Sequence, residues 1–186
     1  MKQLSAVLLA GGESRRMGRD KATLTYKDGP LWRNRLEVLR KLEPVEIFVS
    51  ARADPAWRPA DAIFVADVPP SRGPLSGLAA ALDRTSGTHL LALAVDMPEM
   101  TETYLRSLIE RVEPGCGLLP SIGERMEPLA AVYPTNALRY FSEALKGEDF
   151  SLQGVARELM RMGRVSEWRV RPEDEHLFRN LNEPVA

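Results

Sequence analysis

Residues 4–21 read LSAVLLAGGESRRMGRDK, and this stretch decides the fold of the chain. Its apolar first part stops at Gly11-Gly12, and a segment rich in arginine and lysine follows at once. That order is typical of a buried strand leading into a glycine turn around polyphosphate, because glycine lets backbone N–H groups approach an anion. Arginine and lysine then bind the phosphate oxygens. A charged surface turn has the same residue types and is the alternative interpretation.

Residue spacing excludes two better-known phosphate loops. The P-loop has four residues between its glycines, followed by Lys-Ser or Lys-Thr. Here five residues separate Gly12 from Gly18, and Arg19 follows. The dinucleotide-binding pattern G-x-G-x-x-G is also missing from this stretch, which argues against a nicotinamide oxidoreductase.

Composition limits the class of protein. A chain of 186 residues with 44% apolar residues is long enough to bury one core, so a single domain is expected. The formal net charge of −1 argues against a nucleic-acid partner, which usually requires a broad basic face. Two histidines and the single Cys116 cannot form an ordinary four-ligand zinc site.

The same composition predicts a cytoplasmic protein. One cysteine excludes an internal disulfide framework and suits a reducing compartment. The first apolar run, residues 4–10, is too short for a membrane span and leads directly into the glycine turn, so it is interpreted as a strand and not as a signal peptide. No membrane association is expected.

Apolar runs with the length of strands alternate with helical patterns along the chain. Buried strands are predicted at residues 4–10, 45–51, 62–66, 89–95 and 129–133, with an edge strand at 165–170. Helices are predicted at residues 31–42, 77–82, 102–112, 136–145 and 152–162. This alternation predicts a single α/β domain with three layers, in which a mostly parallel sheet has helices on both faces.

Three polar or glycine positions follow predicted strands. Gly11, Asp67 and Asp96 each lie at a carboxyl end, and such ends converge where open α/β sheets bind ligands. Asp96 is a candidate ligand for Mg²⁺, which prefers carboxylate oxygen and binds few protein groups alongside substrate phosphates. The alternative is that Asp96 caps the helix that begins near Thr101. Asp67 is a candidate to contact the nucleotide or assist the metal, and the alternative is that it caps a loop.

Several motifs together resemble a known family. The pattern Leu-Ala-Gly-Gly-x-Ser-x-Arg-Met-Gly-x-Asp-Lys-x-x-Leu occupies residues 9–24. Asp67, Gly-Pro-Leu-Ser-Gly at 73–77, Asp-Met-Pro at 96–98 and Phe-Arg-Asn-Leu-Asn at 178–182 follow in order. The chain thereby resembles the molybdopterin nucleotidyltransferases, most of all the molybdenum cofactor guanylyltransferases, over nearly its whole length. The resemblance implies a fold like that of the nucleotide-diphospho-sugar transferases.

The resemblance also implies which residues act. The catalytic residues would be Arg16, Lys21 and Asp96, with Mg²⁺ on Asp96. The nucleotide would be bound by the amino-terminal half through Leu9, Ala10, Gly11, Gly12, Lys21, Ser50, Asp67, Gly73 and Asp96. The acceptor would be bound by the carboxyl-terminal half through Arg125, Glu127, Asn180 and Asn182. For the two asparagines, an ordinary turn is the alternative.

The implied activity is transfer of GMP from GTP to molybdopterin by a monomeric enzyme. Guanine selection is open, because residues 50–52 lack the asparagine that guanylyltransferases commonly have in this region. A molybdopterin cytidylyltransferase, or an enzyme with another nucleotide or acceptor, is therefore the first alternative. The second is a non-catalytic nucleotide-binding protein that partners molybdenum-cofactor assembly or acceptor proteins.

Overall fold

The computed structural model describes residues 3–11, 20–67 and 69–181. Within these ranges, ten strands alternate with helices. The strands are β1 (Leu4–Leu9), β2 (Thr25–Tyr26), β3 (Gly29–Pro30), β4 (Glu46–Ala51), β5 (Ile63–Ala66), β6 (His89–Ala94), β7 (Gly117–Ile122), β8 (Arg125–Met126), β9 (Ala130–Pro134) and β10 (Val165–Arg169). The α-helices are α1 (Leu31–Arg40), α2 (Pro74–Arg84), α3 (Glu102–Arg111), α4 (Leu138–Lys146) and α5 (Leu152–Arg161). Short 3₁₀ helices cover Lys21–Thr23, Thr135–Ala137 and Pro172–Phe178.

The main sheet has the strand order β10-β7-β9-β6-β1-β4-β5, and β8 pairs with β7. The pairs β1–β4, β1–β6, β4–β5 and β7–β10 are parallel, whereas β9 is antiparallel to both of its neighbours. The expected mostly parallel sheet is therefore confirmed. The predicted edge strand is also confirmed, because β10 ends the sheet on one side.

Helices cover both faces of this sheet. Alternate residues of β1 point to opposite sides, so that Ala6 and Leu8 pack in the core with α1 and α3. Val7 and Leu9 pack in the core with α2, α4 and α5. The three-layer α/β architecture follows from this alternation, since each face of a buried strand must contact an apolar helix surface. No helix in the described part of the chain is both long and apolar enough to cross a membrane.

Two local features differ from the sequence expectations. Strand β7 lies between β10 and β9 in the sheet, although no strand is predicted there from the sequence. The second concerns Ser151, which the sequence predicts to cap the helix that follows it: Ser151 precedes α5, but its side chain makes no capping hydrogen bond, and its backbone N–H donates to Asp149 Oδ1 at 2.8 Å.

Candidate functional site

The candidate site is built at the carboxyl edge of the parallel strands. Leu9 at the end of β1 is level with Ser50 on β4 and with Ala94 on β6. The ladder continues one residue beyond, because Ala10 N–H donates to Ser50 O at 2.9 Å and Val95 N–H donates to Leu9 O at 3.1 Å. The loops that follow these strands therefore start from one line across the sheet.

Lys21 and Asp96 meet at this edge. Lys21 Nζ lies 3.6 Å from Asp96 Oδ2, and each side chain is about one fifth exposed. Seventy-five residues separate the two positions in the sequence, so only the parallel strand arrangement brings them together. The distance between Lys21 Nζ and Asp96 Oδ2 is slightly longer than a hydrogen bond, and both side chains are partly exposed. The ammonium of Lys21 and the carboxylate of Asp96 can therefore each contact a polar ligand.

Local capping sets the backbone of Lys21. Asp20 is the N-cap of the 3₁₀ helix Lys21–Thr23, and its Oδ1 accepts a hydrogen bond from Ala22 N–H at 3.0 Å. Ala22 is fully buried, so one side of this turn is anchored in the core. The anchor and the cap together orient Lys21 toward the strand ends.

Asp67 lies at the same edge but is held by protein hydroxyls. Its Oδ1 accepts from Ser50 Oγ at 3.0 Å, and its Oδ2 accepts from Ser71 Oγ at 2.9 Å. A Cβ on Gly11 would lie only 3.1 Å from Asp67 Oδ2, so glycine permits this close approach. Asp67 is 7% exposed and organises the loop that leads to Gly73.

The beginning of α2 requires glycine at two positions, the N-cap Gly73 and Gly77 in the first turns of the helix. Gly73 is the N-cap of α2 at φ +64 and ψ −142, a backbone conformation that side chains disfavour. A Cβ on Gly77 would overlap Ser50 Oγ, which confirms the expectation that Gly77 permits tight packing of this helix. The helix N-terminus thus lies close against the end of β4.

Arg35 supports the loop after Asp96, a role that its sequence position did not indicate. The sequence places it on the inward face of α1 with Leu31 and Leu39. It is 6% exposed, and its guanidinium donates to the carbonyls of Met97 at 3.0 Å and Met100 at 2.6 Å. Burial lowers the pKa of Arg35 to about 10. A cation on an apolar helix face is the signal that could have revealed it.

The predicted acceptor residues line a second part of the edge. A cavity of about 250 Å³ is lined by Ile122, Arg125, Glu127, Glu175, Phe178 and Arg179. Arg125 Nε lies 3.5 Å from Oε1 of Glu127, which is 6% exposed. Arg179 was not predicted, although it lies within the Phe-Arg-Asn-Leu-Asn motif.

The segment at residues 180–181 connects this cavity to Asp96. Leu181 N–H donates to Asp96 O at 3.1 Å. Asn180 Oδ1 is buried and has no hydrogen-bond partner in the described part of the chain. A buried amide oxygen without a partner is costly, so this atom is a candidate contact for a bound ligand.

The described residues place most of the predicted site at this edge, namely Leu9, Ala10, Gly11, Lys21, Ser50, Asp67, Gly73, Asp96, Arg125, Glu127 and Asn180. Gly12, Arg16 and Asn182 lie outside the described residues. Asp96 does not cap α3, because Thr101 Oγ1 accepts the hydrogen bond from Tyr104 N–H. No group of three or more His, Cys, Asp or Glu side chains suited to a metal occurs within the described ranges.

Comparison with known proteins agrees with this geometry. Residues 6–166 match the family described as the MobA-like NTP transferase domain. The chain is 33% identical over 184 residues to a probable molybdenum cofactor guanylyltransferase of Opitutus terrae, covering 97% of this chain and 91% of that protein. It is 32% identical over 186 residues to the molybdenum cofactor guanylyltransferase of Syntrophotalea carbinolica, covering 98% and 88%.

A solved structure has the same architecture. The molybdopterin-guanine dinucleotide biosynthesis protein A from Archaeoglobus fulgidus superimposes with a TM-score of 0.73 at 26% identity. The superposition covers 98% of this chain and 93% of that protein. The similarity therefore extends over both the amino-terminal and the carboxyl-terminal half of the chain.

Proposed function

The chain belongs to the MobA-like NTP transferase family, and on that basis we propose that it transfers GMP from GTP to the terminal phosphate of molybdenum-molybdopterin. The products are the molybdopterin guanine dinucleotide and pyrophosphate. The relatives from Opitutus terrae and Syntrophotalea carbinolica carry the name of this activity over nearly the full length of the chain.

One observation supports the proposal most directly. Lys21 Nζ and Asp96 Oδ2 lie 3.6 Å apart at the carboxyl edge, where a single triphosphate can contact both side chains. Open α/β sheets bind ligands at this edge. A positive group for phosphate oxygens and a carboxylate for a cation are the two charges that nucleotidyl transfer requires.

In the proposed reaction, a phosphate oxygen of molybdopterin attacks the α-phosphorus of GTP. The bond from the α-phosphorus to the bridging oxygen breaks, and the electron pair leaves with pyrophosphate. The nucleophile is already an anion, so no covalent enzyme intermediate is required. The protein must instead align two anions that repel each other, and Lys21 with Arg16 would offset the charge that develops on pyrophosphate.

The chemistry of Asp96 fits a single magnesium ion. Mg²⁺ commonly binds one or two carboxylates, with substrate phosphates and water completing its ligands. Asp96 provides one partly exposed carboxylate, which suits that arrangement better than a cage made only of protein groups. When bound there, Mg²⁺ supplies positive charge for the triphosphate oxygens.

We assign the acceptor to the cavity lined by Arg125, Glu127 and Arg179. Arginine can bind a phosphate with two parallel hydrogen bonds, and the segment at Asn180 continues from this cavity to Asp96. In this proposal the amino-terminal half binds the nucleotide and the carboxyl-terminal half binds the acceptor, with Asn180 and Asn182 among the acceptor-binding residues.

The test is pyrophosphate release by the purified protein with molybdenum-molybdopterin, Mg²⁺ and each of the four nucleoside triphosphates in turn. We expect release with GTP, dependent on both acceptor and metal. Faster release with CTP would replace guanine by cytosine in the assignment, since residues 50–52 at the end of β4 lack the asparagine that guanylyltransferases commonly have in this region. Nucleotide binding without release would identify a non-catalytic partner of cofactor assembly.

Titration calorimetry gives an independent measure of base selection. Each nucleoside triphosphate is added to the protein with and without Mg²⁺, in the absence of acceptor. The proposal requires the tightest binding for GTP in the presence of the metal.

A further inference from the structure

Trp57 lies in the loop between β4 and β5 and connects this loop to Asp20, the residue before Lys21. Its indole N–H donates to Asp20 Oδ2 at 2.9 Å. The ring also stacks on Trp32 of α1, with centroids 5.2 Å apart and planes inclined by 15°. The indole is therefore fixed on one face by an aromatic ring and at its polar edge by a carboxylate.

Asp20 uses both of its carboxylate oxygens in this arrangement. Oδ1 accepts from Ala22 N–H at 3.0 Å, and Oδ2 accepts from Trp57. The bond to Ala22 caps the turn that begins with Lys21. A charge-assisted bond from the indole holds the carboxylate in the rotamer that makes this cap.

The loop that carries Trp57 is itself tied down. Arg58 forms a bidentate ion pair with Asp54, with N–O distances of 2.7 and 2.8 Å. The Arg58 guanidinium also donates to the carbonyl of Ala62, just before β5. Two prolines in the sequence of this segment predict only a loop, whereas the structure gives it a fixed conformation that can bear on Asp20.

We propose that Trp57 is a positioning residue for nucleotidyl transfer, because its hydrogen bond to Asp20 sets the turn that directs Lys21 toward Asp96. This inference rests on the proposed function, since it assigns Trp57 a role that acts through Lys21. Trp57 itself is not required to touch the nucleotide.

The test compares two substitutions in the stacked pair. Trp57→Phe keeps an aromatic ring against Trp32 but removes the indole N–H. Trp32→Phe is the matched control, since it also replaces an indole by the smaller phenyl ring but leaves the hydrogen bond between Trp57 and Asp20 in place. We expect Trp57→Phe to lower turnover about five- to tenfold, the scale of one modest hydrogen bond. Trp32→Phe should lower turnover less than about twofold, because the hydrogen bond from Trp57 to Asp20 remains.

Asp20→Asn provides a second variant. The asparagine carbonyl can still accept from Ala22 N–H, but its amide group cannot accept from the indole. It should reproduce the turnover loss of Trp57→Phe, and the double variant should show no further loss because both changes break one bond. The free energy of unfolding of each variant, measured by denaturant titration, shows whether a loss of turnover comes with a general loss of stability.

A cycle with Lys21→Ala separates the inference from the function on which it rests. Turnover and calorimetric affinity for GTP with Mg²⁺ are measured for each single and double variant. If Trp57 acts through Lys21, Trp57→Phe has no further effect on either quantity in the Lys21→Ala background. An equal loss in both backgrounds, or a loss shared by Trp32→Phe, overturns the role of Trp57 and leaves the function standing. Unchanged turnover and affinity in Lys21→Ala reject the site assignment itself, and the role of Trp57 with it.

Discussion

Glu46 at the amino edge of the central sheet and the Lys21–Asp96 pair at its carboxyl edge differ in how the protein compensates their charges. At the amino edge, Glu46 Oε1 accepts from Ser5 Oγ at 2.7 Å and from the backbone and hydroxyl of Ser86 at 2.7 and 2.9 Å. Gly87 N–H completes this network by donating to Ser5 Oγ at 3.2 Å. At the carboxyl edge, Lys21 and Asp96 face each other at 3.6 Å.

The difference separates stability from binding. A carboxylate oxygen that accepts several hydrogen bonds within the protein, as Glu46 Oε1 does, stabilises the fold. A partly exposed ion pair contributes little to stability, about 0–1 kcal/mol, but can exchange its partner for phosphate or metal. Glu46 therefore stabilises the amino edge of the sheet, whereas Lys21 and Asp96 at the carboxyl edge can contact the proposed substrates.

The largest expected effect comes from Asp96→Ala at the carboxyl edge. Turnover should fall by at least about 10³-fold, because the variant loses the carboxylate for the cation. The free energy of unfolding should change by less than about 1 kcal/mol, since only a partly exposed ion pair is lost. Asp61→Ala, which removes an exposed carboxylate paired with Arg40, is the control and should retain full turnover. Normal turnover in Asp96→Ala would remove the metal assignment.

Lys21→Ala should have the next largest effect. We expect turnover to fall by about 10² to 10³-fold, the scale of removing one electrostatic donor to a developing charge. The measurement is pyrophosphate release at saturating GTP, with Lys27→Ala as control because Lys27 is an exposed partner of Glu99. A loss that appears equally in both variants would place the effect in overall charge and not at the edge.

Arg35→Met tests how much the hydrogen bonds of Arg35 stabilise the loop that follows Asp96 at the carboxyl edge. The variant leaves two buried carbonyls, those of Met97 and Met100, without their donor. The free energy of unfolding should drop by about 1–3 kcal/mol, measured by denaturant titration. Arg33→Met on the same helix breaks only an exposed pair with Glu37 and should change it by less than about 0.5 kcal/mol. Equal effects would mean that the 97–100 loop does not depend on Arg35.

The smallest effect is expected at the amino edge, from Glu46→Gln. Partial burial alone would raise the pKa of the Glu46 carboxyl, but hydrogen bonds from Ser5, Ser86 and Gly87 outweigh burial and hold that pKa below its ordinary value. An acid with a lowered pKa in the folded state stabilises the protein above its unfolded pKa, about 4.3 for glutamate. That stabilisation is lost as the pH falls through the folded pKa.

The Glu46→Gln variant should therefore be about 1 kcal/mol less stable at pH 7, with unchanged turnover. Its difference from the unmodified protein should shrink as the pH is lowered below about 4. Denaturant titrations across this pH range measure the difference. A gap that persists unchanged into acid would show that Glu46 does not stabilise the fold as a carboxylate.

The sequence predicts the nucleotide half of the fold well because its signals are local. Three of the predicted parallel strands are short apolar runs followed directly by a residue of the proposed site, namely Gly11, Asp67 and Asp96. Parallel pairing then brings these positions together without further information. Strand β7 is not predicted from the sequence, because Pro120 interrupts its apolar run and proline is unusual within a sheet.

The supporting contacts could not be predicted in the same way. Arg35 reaches carbonyls 62 and 65 residues away, and Trp57 reaches a carboxylate 37 residues away. Periodicity identifies which helix face is buried, but it does not reveal which distant backbone groups need a donor. For Arg35, the inward position alone indicates a buried cation, and only the fold identifies its acceptors.

The reversed direction of β9 has a consequence for how such enzymes diversify. Because β9 runs against β6, the segment that precedes it reaches the carboxyl edge, and Leu129 O accepts from Ala94 N–H at 2.9 Å there. The β7–β8 hairpin, which turns at Gly123 with φ +57, contributes Arg125 to the proposed acceptor site from a separate stretch of chain. Under the proposed assignment, changes in that hairpin would alter recognition of the acceptor while the residues proposed to hold the triphosphate stay the same, so donor and acceptor recognition could evolve separately.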